Sequence, residues 1–189
     1  ASTHAGEDEI VAAAHKIAQR TTHRLLLILA PRHTDRADGI EQMLLDQGWD
    51  VARRSKGQEP NADTQVYLVD TMGEMGLWYR LAPTSLVCGS LIDGIGGHNP
   101  FEPAALGSAI LHGPHPHNFQ DIYDRLAEAN AAVQVGTAEQ IAAQVTDLLS
   151  PDKAAALAHA AWEVSSRGAE VTTRAVDVIL DKFDKSKAP

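Results

Sequence analysis

A glycine-rich turn set directly before a helix start is the part of this chain best suited to chemistry. Gly89-Ser90-Leu91 leads through Ile95-Gly96-Gly97-His98-Asn99-Pro100-Phe101-Glu102-Pro103 to Ala104-Ala105-Leu106-Gly107. Free backbone N–H groups and the positive end of a helix dipole make such a turn a seat for phosphate. Gly96 and Gly97 let the main chain approach a ligand with no Cβ between them. Glu102 falls in the first turns of the helix, where its carboxylate is placed to accept hydrogen bonds from the two hydroxyls of a ribose. Phosphate seat and ribose acceptor together read as a nucleotide-sugar site.

Such a site needs a scaffold that gathers loops from distant parts of the chain. The 189 residues fit one α/β domain with a substantial core. The pattern alternates helices with short apolar runs, the signature of a doubly wound parallel sheet. Glu7 to Gln19 places Ile10, Val11, Ala14, Ile17 and Ala18 at helical spacing, with acids in the first turn where the dipole favours them. Leu25 to Ala30 is a solid apolar run, expected of a strand buried on both faces. Thr34 to Gln47 reads as helix, Asp50 to Arg53 and Gln65 to Val69 as strands, and Met72-Gly73-Glu74 as a turn before a helix through Leu77, Trp78 and Leu81. Ser85 to Cys88 and Ala109 to Leu111 are strands on either side of a short helix from Pro103 to Leu106. Helix 118–129, strand 132–135 and helix 138–149 follow, and Ser150-Pro151 breaks the chain before an alanine-rich helix. Gly168 precedes a final helix through Val171, Val178, Ile179 and Phe183, and the tail 184–189 is expected to fray. No repeat or linker divides residues 1–189, which read as one domain. Only Ala1-Ser2 precede the turn into the first helix, so the chain is expected to begin at the end of its first central strand and to leave a sheet edge incomplete or differently paired.

Composition narrows the partners. Lys+Arg 16 against Asp+Glu 25 gives a formal charge of −9, which argues against non-specific nucleic-acid binding. One or two local arginines still suffice for a nucleotide phosphate. The single cysteine, Cys88, excludes an internal disulfide and suits a reducing compartment. No apolar run approaches the roughly 20 residues that span a bilayer. No secretory leader is visible before the acidic first helix, and the absence of an initiator Met is consistent with a piece of a longer protein.

Several segments carry a family resemblance. Ala1-Ser2-Thr3-His4, Pro31-Arg32-His33, Asp70-Thr71-Met72-Gly73-Glu74, Gly96-Gly97-His98-Asn99-Pro100-Phe101-Glu102-Pro103, and Gly113-Pro114-His115 with Asn118-Phe119 resemble the Kdo transferases of lipopolysaccharide biosynthesis. These enzymes move 3-deoxy-D-manno-octulosonic acid (Kdo) from CMP-Kdo to lipid A precursors such as lipid IVA. The resemblance covers nearly the whole chain, but only the C-terminal half of such an enzyme. It implies a Rossmann-like domain, the C-terminal half of a two-domain GT-B glycosyltransferase. Pro31, Arg32, Met72, Gly73, Glu74, Asn99, Pro100, Phe101 and Glu102 would contact CMP. Ser2, Thr3, His4, Ser90, Gly96, Gly97 and His98 are candidates for donor or acceptor contacts. The family's catalytic base is a glutamate of the N-terminal half, so no catalytic residue is expected here and the isolated domain should be inactive. The full-length enzyme would work at the cytoplasmic face of the bacterial inner membrane, touching it through the missing half, while this part is soluble. The helices of about 151–183 would pack on the domain and toward that half, exposing an apolar patch without it and leaving a dimer of the chain open.

Each candidate also has a purely structural reading. Arg32 could pair with Asp35 or Asp38, Glu102 could serve only the helix dipole, and Asn99 could cap the helix. Glu74 could simply begin a helix while Met72 fills core, and Ser2-Thr3-His4 could cap the first helix. His33, His98, His112, His115 and His117 invite a metal, but their spacing and the family resemblance both argue for no metal and no cofactor beyond the donor. Cys88 reads as a small buried filler. Trp49, Trp78 and Trp162 read as core or domain-interface residues. No nucleophile elbow, lysine-bearing P-loop or complete G-x-G-x-x-G is present. Two other functions stay open: a UDP-sugar-dependent GT-B domain, and a non-catalytic α/β interaction module.

Overall fold

A computed structural model describes residues 1–167. The second terminal helix and the tail expected beyond Gly168 lie outside the described residues. In chain order the elements are α1 (Glu7–Ala18), β1 (Leu27–Leu29), α2 (Ala37–Asp46), β2 (Val51–Arg53), β3 (Val66–Leu68), α3 (Met75–Leu81) and β4 (Thr84–Val87). Then come α4 (Phe101–Ala105), β5 (Ala109–His112), α5 (Gln120–Glu128), β6 (Ala132–Gln134) and α6 (Ala138–Asp147). Residues 151–167 form one more helix. Every strand pairing is parallel, in two three-stranded groups with orders β1-β3-β2 and β4-β5-β6. This is the alternating α/β architecture that the apolar periodicity predicts.

The sheet is interrupted at its centre rather than at an edge, which corrects the sequence reading. Between the two groups stand only Ala1 to Thr3. The amino group of Ala1 donates to Leu86 O at 2.7 Å, and Cys88 N donates to Ala1 O at 3.0 Å. Thr3 N donates to Ala30 O at 3.1 Å, and Arg32 N donates to Thr3 O at 3.0 Å. Ser2, at φ 60, turns the chain between these two sets of bonds. Below this short bridge an apolar slot of about 500 Å³ runs between Leu27–Ala30 and Thr84–Leu86, roofed by Val11, Ala14, Ile141 and Val145. The slot explains why Leu27 and Ile28 are only half-buried and Leu26 is exposed, although the run was expected to be covered on both faces.

One core nevertheless joins the halves. Leu29, Val66 and Leu68 cluster with Ala109, Leu111, Val135, Ile141 and Trp49 beneath α1 and α6. A second cluster sets Ala161 of the last described helix against Tyr123, Leu126 and Ile110, so that helix does pack on the domain. Trp49 and Trp78 are buried as expected, but Trp162 is 48% exposed on the far side of its helix. Cys88 is fully buried, and burial pushes its thiol up to about 11, in keeping with an inert filler.

His15 of α1 is buried against Trp49, ring centroids 5.1 Å apart, with Nε2 3.0 Å from Gln65 O. Desolvation holds it at about 4. Its unfolded counterpart titrates near 6.5, so between these values the unfolded chain binds a proton that the folded chain refuses. Stability is therefore expected to fall as pH drops from about 6.5 to about 4, at up to ~1.4 kcal/mol per pH unit for this group. Urea unfolding across that window should show the decline, and His15→Gln should make it shallower by the His15 share, since His98 titrates in the same window. A wild-type curve flat down to pH 4.5 would contradict the burial argument.

Candidate functional site

Parallel strands point their carboxyl ends the same way, so the loops following β1, β3, β4 and β5 meet on one edge of the sheet. Three predicted segments, after β1, β3 and β4, lie on that edge, with Ala1–His4 between the first and third. After β1, Pro31 is buried and carries the bridge to Thr3, while Arg32 is exposed. Of the expected partners of Arg32, Asp38 pairs with Arg53 at 2.5 Å, and Asp35 makes no ion pair among the described residues. Among the described residues Arg32 makes no ion pair, leaving its guanidinium presented to solvent.

After β3, Met72 is 77% exposed, which corrects the expectation that it might fill core. Gly73 takes φ 84 and has open space where a Cβ would stand. Glu74 is the residue preceding α3, and its half-exposed carboxylate is held by two neighbours. Arg54 donates to it from Nη2 at 2.9 Å and from Nε at 3.2 Å, and Thr71 Oγ1 donates as well. These bonds hold Glu74 at about 2, well below the usual carboxylate range. Asp70 and Arg53 anchor the base of this loop: Arg53 Nε donates to Asp70 Oδ2 at 2.7 Å, and Ser55 donates to Asp70 from N and Oγ at 3.0 and 2.7 Å.

The glycine-rich segment after β4 behaves differently from its sequence reading. Gly97 N donates to Gly89 O at 2.6 Å, so that amide is spent on the loop itself. A Cβ on Gly96 would lie 2.3 Å from Asn118 Nδ2, and one on Gly97 would lie 2.9 Å from Pro116 Cα. The glycines admit the Pro116–Asn118 segment rather than a ligand. Ser90 is fully buried, donating to Val87 O and accepting from Gly113 N, both at 2.8 Å. Its hydroxyl is thus structural, not a donor or acceptor contact.

Beyond that loop, α4 starts at Phe101, two residues earlier than expected, and Asn99 Oδ1 accepts from Phe101 N at 3.0 Å. Asn99 therefore stabilises the helix start, and its side chain is exposed at the same time. Pro100 is buried, Phe101 half-buried, and Glu102 exposed without an ion-pair partner among the described residues. Arg32 and Met72 on loops and Glu102 in the first turn of α4 are thus three exposed side chains at one sheet edge, without hydrogen-bond or ion-pair partners among the described residues.

Two features escaped the sequence reading. The first is Glu7, read as a dipole acid but 0% exposed. Its Oε2 accepts from His4 N at 2.9 Å and Gly89 N at 2.8 Å, and its Oε1 accepts from Leu91 N at 3.0 Å. One carboxylate thereby fixes the first loop to the glycine-rich one. The second is a row of imidazoles. His4 Nε2 lies 2.9 Å from His98 Nε2, and His33 stands edge-on to His4 at 5.7 Å. The expected histidine group was different. His112 is buried with Nδ1 at 2.8 Å from Gly113 O, and His117 packs by Gly96. No group of three His, Cys, Asp or Glu side chains among the described residues is set to hold a metal ion. Thr3 is buried, and its Oγ1 finds no partner. No described helix is long and apolar enough to cross a membrane.

Comparison with known proteins gives these features a family. No family model matches the chain. The 3-deoxy-D-manno-octulosonic acid transferase of Haemophilus influenzae is 36% identical over 188 residues, covering 98% of this chain and 44% of that protein. The Bordetella pertussis transferase is also 36% identical, over 96% of this chain and 43% of its own length. The chain thus spans less than half the length of these curated relatives. The crystal structure of the C-terminal CMP-Kdo binding domain of WaaA from Acinetobacter baumannii superposes with a TM-score of 0.81 at 36% identity, covering 86% of this chain and 85% of that one. Sequence, length and fold agree that the chain belongs to the 3-deoxy-D-manno-octulosonic acid transferase family, and that it corresponds to the family's C-terminal domain.

Proposed function

We propose that this domain holds the CMP of CMP-Kdo for transfer of Kdo to a lipid A precursor. The observation that carries the proposal is the convergence of Arg32, Met72 and Glu102, exposed and free of partners, on the sheet edge where such folds bind ligands. The planar fork of Arg32 matches the phosphate oxygens. Met72 and the open backbone at Gly73 offer a surface for the cytosine, and Glu102 offers an acceptor for the ribose hydroxyls. Pro31, Asn99, Pro100 and Phe101 shape the loops that carry these groups.

Transfer replaces the bond from the anomeric carbon to the CMP phosphate with a bond to an acceptor hydroxyl. Arg32 stabilises the charge that grows on the departing phosphate. The hydroxyl proton must go to a base, and this reading places that base and the acceptor surface in the N-terminal half, at the cytoplasmic face of the inner membrane. The isolated domain then binds donor without turning it over, and no metal ion takes part.

Titration calorimetry with CMP and UDP tests the reading. CMP is expected to bind and UDP to bind more weakly. Arg32→Ala should weaken CMP about 10- to 100-fold, the scale of a lost charge-assisted pair. UDP preferred over CMP would favour another sugar-nucleotide transferase. Indifference to both, with self-association, would favour an interaction module.

A further inference from the structure

We infer that the His4–His98 imidazole pair, beside Arg32, is the subsite for the carboxylate of the donor's sugar acid, and that it takes up one proton when that carboxylate binds. The inference rests on the CMP-Kdo reading of the site. Two ring nitrogens 2.9 Å apart can hold only one proton between them, one ring donating and the other accepting. Where both rings are neutral the accepting Nε2 is bare, and a proton added to that nitrogen sets two N–H groups face to face and parts them. Separated, they form two convergent donors, the number a carboxylate's two oxygens require.

Both residues are held at the backbone and are half-buried. His4 is held at its backbone N by Glu7, and the His98 carbonyl accepts from Tyr123 Oη at 3.0 Å. The His98 ring rests on Gly89, where a Cβ would come within 2.9 Å of Cδ2. The charges facing His4 are Glu7, His33, Arg36 and Arg32; those facing His98 are His4, Arg32, Glu7 and the amino group of Ala1. The only acid among them, Glu7, is committed to three backbone N–H groups. The surroundings therefore favour an arriving anion. While the subsite is empty, burial and the neighbouring cations hold His98 at about 4 and His4 below its ordinary value, so the pair stays neutral near pH 7.

The donor's chemistry fits the spacing. In a nucleotide-activated 2-ulosonic acid the carboxylate and the phosphate oxygen are attached to one carbon. A phosphate on Arg32 thus brings a carboxylate to the groups next to Arg32, and those are His4 and His98. Binding moves one proton from solvent to the accepting ring and breaks no covalent bond. The opened pair then donates one N–H to each carboxylate oxygen.

The test uses a hydrolysis-resistant phosphonate isostere of CMP-Kdo and its methyl ester, titrated calorimetrically between pH 6.5 and 8 in buffers of different ionisation heat. The acid is expected to bind about tenfold or more tighter than the ester at pH 6.5, the scale of charge-assisted hydrogen bonds. Its binding should take up close to one proton that the ester does not, and its advantage should shrink as pH rises. In His4→Gln and His98→Gln, acid and ester should bind with the same proton count. Equal proton uptake by acid and ester in the wild-type chain would overturn the inference while leaving the CMP reading intact. Failure of CMP, acid and ester alike would overturn both.

Discussion

Replacing Glu7 with alanine is expected to destabilise the domain by about 3–5 kcal/mol, because it strands three buried N–H donors at once. Glu7 is completely buried, and His4, Gly89 and Leu91 each donate their backbone N–H to it. Three amide donors and the α1 N-terminus surround this carboxylate. Alanine removes every acceptor, and neither loop has another to offer. Glu7→Gln retains one oxygen but turns an NH₂ toward one of the amides, so its cost should fall between wild type and alanine. Urea unfolding of the three proteins measures the order. A cost below ~0.5 kcal/mol for alanine, the range of an ordinary surface change, would show that water replaces the carboxylate freely.

The second large effect belongs to Arg53. Its guanidinium reaches Asp70 at 2.7 Å, Glu41 at 2.8 Å and Asp38 at 2.5 Å, and Asp70 is nearly sealed from solvent. The acids together raise the Arg53 pKa and fix its charge. Arg53→Met fills much the same space but leaves the Asp70 carboxylate buried with only Ser55 as donor. Breaking a buried pair from one side costs about 3–5 kcal/mol. Removing both partners, as Arg53→Met with Asp70→Leu, should restore much of the loss, since the penalty lies mostly in the uncompensated charge. If the double variant is as unstable as the sum of the two singles, packing rather than charge holds this corner. Because Asp70 stands in the loop that leads from β3 to Met72 and Gly73, the single variant should also loosen CMP.

What sequence alone revealed follows from what repeats along it. Alternating apolar runs and caps are local, so the order of strands and helices was legible to within a residue or two, as was the gathering of Arg32, Met72 and Glu102 on one edge. Partner choice is not local. Nothing in the spelling Gly96-Gly97 distinguishes a loop that admits a phosphate from one that admits Pro116 and Asn118, since both need a missing Cβ. The acids of the first helix turn looked like dipole partners because periodicity cannot see that residue 7 faces residues 89 and 91. Arg53 read as the end of a strand, and its three acids lie 12 to 17 residues away. His4 and His98 are separated by 94 residues, so only the fold could bring their nitrogens together.

The buried carboxylate of Glu7 bears on how the edge of the sheet moves. It takes the backbone N–H groups of residues 4, 89 and 91 at the start of α1. The first loop and the glycine-rich loop therefore behave as one body: neither can lift from the sheet without stranding a donor of the other.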